Sequence, residues 1–245
     1  PDLDDSIDVD RLLAARLPDQ ELEYGWIRLF DDQSLMGWEA TSNANWKVQD
    51  GTITVDSGAQ GFLATKLRYA DFELQVEYKA PATTNSGVFL RCQPEMKSPE
   101  TDCYEFNIAP VDNPFPTGSL VGRQRTEPAT IGELDPERWH ILHALVDREH
   151  IQTWVDGNKA TDYIDTMGLQ QGKIMLQFRE GPVAFRNMRL RPIGYTVIPV
   201  KNFDGWHPSD EKAFTYKQTT EGFVEIEGGR ADLELLLQLR DFTVQ

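Results

Sequence analysis

Short runs of alternating apolar and polar residues, separated by Gly, Asn, Asp and Pro, begin at Trp26 and recur about every ten residues as far as Pro192. A period of two puts successive side chains on opposite faces of an extended chain, so each run predicts a strand. The predicted strands are 28–30, 46–49, 52–55, 62–65, 71–79, 87–91, 104–108, 139–147, 151–155, 173–178 and 184–192. Asp50-Gly51 and Asp156-Gly157 are dipeptides favoured at tight hairpin tips. Long helical crossovers are missing between these runs, which excludes an α/β fold. The pattern predicts an all-β sandwich or barrel.

The two ends of the chain read differently. Residues 6–17 place Ser and Asp early, Arg late and Pro18 after them, which predicts a short helix or an ordered arm within 1–24. After Gly194 the opening of the β unit is echoed. Asn202-Phe203-Asp204-Gly205-Trp206 repeats Leu29-Phe30-Asp31 with Gly37-Trp38, and Gly222-Phe223-Val224-Glu225-Ile226 repeats Gly51-Thr52-Ile53-Thr54-Val55. Roughly 50 residues cannot close a second sandwich, so 195–245 is expected to be a partial repeat from a longer chain. Its Leu235-Leu236-Leu237 run is expected to pack against the first unit or against a second copy.

Composition narrows the function classes. The chain has 245 residues, with 40 acidic against 24 basic, and the resulting charge of −16 repels phosphate backbones. Nucleic acid is excluded as a natural partner on this ground. No apolar run approaches the roughly 20 residues needed to span a bilayer. The chain starts at Pro1, so a signal peptide is expected to have been removed. Cys92 and Cys103 flank the connection between 86–91 and 104–108; pairing of those runs as a hairpin would bring the sulfurs together. That favours a disulfide and an oxidising compartment, against the alternative of two unrelated thiols. Neither a Ser-His-Asp nor a Cys-His arrangement, a phosphate loop or a dinucleotide fingerprint stands in a suitable context.

Several segments, collinear from Gly25 to Leu190, carry a resemblance. They include Gly25-Trp26-Ile27-Arg28-Leu29-Phe30-Asp31, Trp46-Lys47-Val48-Gln49-Asp50-Gly51, Asn85-Ser86-Gly87-Val88-Phe89-Leu90-Arg91, Tyr104-Glu105-Phe106-Asn107-Ile108, Trp154-Val155-Asp156-Gly157 and Phe185-Arg186-Asn187-Met188-Arg189-Leu190. Together they resemble the 3-keto-disaccharide hydrolase domain family over 26–194. The resemblance implies a concanavalin A-like jelly-roll sandwich of two antiparallel sheets. It also implies a periplasmic or secreted bacterial protein acting on carbohydrate, in particular on glycosides oxidised at C3.

Alternation nominates the site. Cys103, Glu105 and Asn107 share one face of their strand, and Tyr104, Phe106 and Ile108 the other. The polar face then lines a groove, with Glu105 the first catalytic candidate. Glycosidases of the resembled fold carry two acids two residues apart on such a strand, but here the second position is Asn107, which weakens a double-displacement mechanism. Arg91 is expected beside Glu105 as a substrate-binding or orienting group. Gln177 and Arg179 are expected on a neighbouring groove strand; the family commonly has His where Arg179 stands, and a guanidinium is a poor proton shuttle. His143 joins Glu105 and Arg179 as a catalytic candidate, although structural or surface roles suit most of the histidines. Asp112 is a candidate for a sugar or a divalent cation, the one cofactor allowed for, with no metal ligand set defined. Phe115 and Phe178 are the candidate stacking aromatics. Two functions compete: cleavage of a 3-keto-glycoside, and lectin-like binding without turnover.

Overall fold

The computed structural model describes residues 16–94 and 96–194, together with four strands beyond them. Residues 1–194 and 195–245 form two compact units. The first unit is a sandwich of two antiparallel sheets.

The larger sheet has the order β11-β10-β9-β6-β13-β4-β3, with β1 also pairing β13. Its strands are β1 (Ile27–Arg28), β3 (Lys47–Gln49), β4 (Thr52–Val55), β6 (Phe72–Lys79), β9 (His140–Asp147), β10 (His150–Val155), β11 (Asn158–Ile164) and β13 (Val183–Pro192). The smaller sheet has the order β2-β5-β12-β7-β8, with β2 at Trp38–Ala40, β5 at Gly61–Thr65, β7 at Ser86–Cys92, β8 at Tyr104–Ile108 and β12 at Lys173–Phe178. Strands β2 and β11 are the two that alternation missed. Among the described residues three short helices accompany the sheets: α1 (Asp19–Glu23), α2 (Pro99–Asp102) and α3 (Pro128–Ile131). The predicted helix at 6–17 falls almost wholly outside the described residues. Its last two residues, Arg16 and Leu17, are not helical, and Pro18 caps α1 at its start.

Alternation works because each strand of the larger sheet buries one face. In β6 the apolar Phe72, Leu74, Val76 and Tyr78 point inward while Glu73, Gln75, Glu77 and Lys79 point out. They meet Val88, Leu90, Tyr104, Phe106, Ile174 and Leu176 of the smaller sheet in one apolar core. Phe178 belongs to this core at 6% exposure, so it is no stacking aromatic.

One irregularity decides the faces of the smaller sheet. Met175 of β12 pairs with Phe89, but Lys173 pairs with Cys92, so Leu90 and Arg91 together oppose the single residue Ile174. This is a bulge, and Arg91 sits in the left-handed region at φ 51. Alternation therefore inverts after Leu90. Arg91, expected in the groove, is buried on the inner side. It donates to the carbonyls of Ala70, Arg148 and Leu169 and to Asp71 Oδ1 at 2.6 Å, tying the bulge to turns of the larger sheet.

Cys92 takes the groove face instead and lies beside Cys103, the proximity that the hairpin reading expected. Both stand as buried free cysteines in this structure, with Cys103 Sγ turned to Met96 Sδ at 2.9 Å. Burial pushes the Cys92 thiol well above its ordinary range.

In the second unit, β14 (Trp206–Pro208) pairs with β17 (Leu233–Leu235), and β15 (Phe214–Gln218) pairs with β16 (Val224–Gly228). The first unit pairs β2 with β5 and β3 with β4 in the same nested order. The Leu236-Leu237 part of the apolar run lies outside the described residues. No helix among the described residues is long and apolar enough to cross a membrane.

Candidate active site on the smaller sheet

The outer face of the smaller sheet is organised in rows that run across the strands. Gly87 of β7 pairs with Asn107 of β8, and Phe62 of β5 pairs with Gln177 of β12. Gln177 stands one step beyond the Leu176–Val88 pair, which brings it beside Gly87. The next row contains Ala64, Met175, Phe89 and Glu105. The two rows surround Gly87, which has no side chain and leaves a notch. A Cβ there would meet the Phe106 carbonyl oxygen at 3.2 Å, Phe89 Cε2 at 3.3 Å and Glu105 Cγ at 3.5 Å.

The polar groups around this notch lack partners. Asn107 Nδ2 donates to the Phe115 carbonyl, which fixes the amide and leaves Oδ1 as a buried acceptor without a hydrogen bond. Gln177 Oε1 is likewise buried and unpartnered. Residues 3% and 7% exposed, as these two are, normally have their polar atoms satisfied, because an unmade buried hydrogen bond costs about 1–3 kcal/mol. Two acceptors on either side of one notch are therefore free to accept from a ligand or from water.

Glu105 is 7% exposed and its carboxyl makes no hydrogen bond among the described residues. Burial pushes its pKa from 4.5 up to about 7, and the nearby positive charge of Arg179 opposes only part of that rise. Arg179 lies at the exposed end of β12. Glu105, Asn107, Gln177 and Arg179 are thus brought together as expected, with Phe115 at the Asn107 edge.

His143 and Asp112 stand elsewhere. His143 is on the outer face of the larger sheet, where it hydrogen-bonds Glu73 Oε1 at 2.9 Å and stacks on Trp154. It was placed on its strand correctly, but that strand belongs to the opposite sheet from β8, so the sandwich separates it from Glu105. Asp112 lines a cleft of about 810 Å³ at one end of the sandwich, with Ala80, Ile108, Pro110, Pro136 and His140 among its walls. None of Glu105, Asn107, Gln177 and Arg179 lines that cleft. Its four buried polar side chains are already engaged: His140 by Asp156 and the Asp135 carbonyl, Tyr78 by Thr117, Thr117 by the Ala109 carbonyl and Thr84 by the Pro182 carbonyl. Among the described residues four buried side-chain polar atoms lack a partner; Trp46 Nε1 and Thr54 Oγ1 stand apart, and Asn107 Oδ1 and Gln177 Oε1 flank the notch, which makes it the candidate site. Among the described residues no group of three or more His, Cys, Asp or Glu side chains could hold a metal ion.

Sequence reasoning missed Gly87 and Phe62. Phe62 alternates with the equally apolar Leu63, so period two gave no signal for which of them faces the groove.

Solved structures share this architecture. A candidate glycosyl hydrolase from Parabacteroides distasonis ATCC 8503 is 22% identical, with a TM-score of 0.64 over 73% of this chain and 98% of that one. A second such protein from the same organism, also 22% identical, gives 0.58 over 69% and 99%. The carbohydrate binding module CBM66 from Bacillus subtilis gives 0.51 at 14% identity, over 63% and 95%. At these identities the likeness is one of fold. No curated protein matches the chain. Residues 25–191 match the 3-keto-alpha-glucoside-1,2-lyase-like domain. A match over that much of a chain whose two-sheet fold carries a cluster of unfilled acceptors identifies a carbohydrate-active protein, and the chain belongs to the 3-keto-alpha-glucoside-1,2-lyase-like domain family.

Proposed function

We propose that the groove cleaves 3-keto-glycosides by elimination followed by addition of water, with Glu105 as the base. The observation that carries this reading is Glu105 itself, a nearly buried carboxyl without a protein hydrogen bond, poised to titrate at about 7 beside two unfilled amide acceptors. A base is most effective when its pKa lies near the working pH. A ketone at C3 acidifies the C2 proton. Glu105 takes that proton, the C2 electron pair delocalises into the C3 carbonyl, and the pair then expels the C1 oxygen substituent to leave a C1–C2 double bond. The protonated Glu105 returns its proton to the departing oxygen, and water adds across the double bond to complete hydrolysis. Arg179 supplies positive charge for the enolate oxygen, a role that needs no proton transfer and so suits a guanidinium. Sugar hydroxyls would donate to Asn107 Oδ1 and Gln177 Oε1.

The second reading is glycan binding without turnover, and Asn107 favours it, because a retaining or inverting hydrolase needs a second carboxylate where that amide stands. Elimination needs only one, which is why the first reading ranks ahead. Both readings place the protein in the periplasm or outside the cell.

The test is aglycone release from a 3-keto-glucoside and from its unoxidised parent. Release from the ketone alone, abolished in Glu105→Gln, is expected. Sugar binding without release from either compound would leave the lectin-like reading.

A further inference from the structure

Phe62 shares the row of the two unfilled amides, directly opposite Gln177, and is partly exposed. Its ring packs edge-to-face on the fully buried Phe89, with centroids 4.9 Å apart and planes at 73°. The two residues sit on β5 and β7, with β12 between them. Two strand spacings separate their backbones by about 10 Å, so the rings close half of that gap by leaning toward each other over β12. Cε2 of Phe89 lies 3.3 Å from the position a Gly87 Cβ would take. The ring of Phe62 therefore ends beside the notch, held by Phe89 at a fixed angle. Ala64, Met175 and Cys92 continue the same apolar cluster beneath it.

A surface that joins an anchored aromatic ring to two unfilled acceptors matches an amphipathic ring, one with C–H groups on a face and hydroxyls around its rim. We propose that Phe62 is the stacking platform on which the sugar ring rests, a specificity-determining residue that recognises the apolar C–H face of a pyranose while Asn107 and Gln177 accept from its edge. The inference rests on the groove being the sugar site. Phe62 acts by binding, not by chemistry, and so affects substrate and transition state alike. Its immobilised ring loses little freedom when a ligand arrives. An aromatic contact of about 0.5–1.5 kcal/mol corresponds to a loss of about 2- to 12-fold in affinity when the ring is removed.

The experiment uses the full chain and methyl 3-keto-α-glucoside, whose small aglycone cannot itself stack. Binding is measured by calorimetry in Glu105→Gln, which holds substrate without turning it over, and then with Phe62→Ala or Phe62→Tyr added. The expected result is binding several-fold weaker with Ala and restored with Tyr. In the active background, KM should rise by the same factor in Phe62→Ala while kcat stays within about twofold. Equal affinity in the Ala and Phe forms overturns the platform and leaves the site assignment standing. If neither the parent nor Glu105→Gln binds or cleaves the sugar although melting curves show both folded, the groove is not the sugar site, and Phe62 falls with it. A Phe62→Ala defect that Tyr does not restore, or one confined to kcat, also overturns the proposal.

Discussion

The outer faces of the two sheets treat their polar side chains in opposite ways. Over β6, β9 and β13 of the larger sheet, charges are matched: Glu73 with His143 and Arg191, Glu77 with Arg186 and Asn187, and Arg189 with Gln75 and Glu21. The His143 imidazole, helped by Arg191, holds Glu73 below the usual carboxylate range. Over the smaller sheet, Asn107 Oδ1 and Gln177 Oε1 lack partners and Glu105 is pushed the other way, up to about 7. Where polar groups satisfy one another, they hold the fold together; where they are left unmatched beside a notch, they remain free to accept from a ligand. Two carboxylates with opposite shifts in one domain express that division of labour.

Four changes test the contrast, from the largest expected effect to the smallest. Glu105→Gln should lower turnover by about 10²- to 10⁴-fold, as loss of a general base does, while denaturant unfolding at pH 8 finds the variant no less stable than the parent. Gly87→Ala comes next. Its Cβ would crowd the Phe106 carbonyl and the Phe89 ring and fill the notch beside Glu105, and a displacement of a fraction of an ångström should cost about tenfold or more in kcat/KM. Arg91→Met should leave the remaining activity unchanged per folded molecule but cost about 3 kcal/mol in unfolding free energy, because Asp71 and three carbonyls lose the guanidinium's hydrogen bonds. His143→Ala should change stability by about 1 kcal/mol or less and leave turnover intact; a large loss of activity there would return catalysis to the larger sheet.

The raised pKa of Glu105 also predicts a pH dependence. The unfolded group titrates near 4.5 and the folded one at about 7, so folding takes up a proton between those values. Its contribution to stability is complete below about 4.5 and is lost as pH rises through about 7. Turnover should move in the other direction, rising toward a plateau above about 7 as the base ionises. In Glu105→Gln, stability curves measured between pH 4 and 9 should lack this component of the slope.

Much of the fold was legible because period two has a direct structural cause in β6, β9 and β13, where one face meets the core and the other meets water. Strands β7 and β8 are buried on both faces, and there the pattern says less. Glu105 and Asn107 could be placed on one face because their strand is regular. Arg91 could not, since the bulge that turns it inward depends on its pairing with β12, a strand about eighty residues further along the chain. His143 was misplaced for a related reason: alternation gives a residue's face but not the sheet to which its strand belongs. Phe62 was hidden by its apolar neighbours, and the role of Gly87 emerges only when the side chains across from it are known.

The bulge at Arg91 also acts as a parity switch. On its β8 side, Phe89 still faces Glu105, yet three positions later, an odd number, Cys92 is on that same face. An alignment that slides a relative by one residue across Leu90-Arg91 would trade a guanidinium for a thiol and import a charge into the groove on paper alone. Deleting one residue there would do the same in the protein, exchanging inside for outside along the rest of the strand. Comparisons of this family along β7 therefore need to be counted from both ends, with the change of frame placed at Arg91.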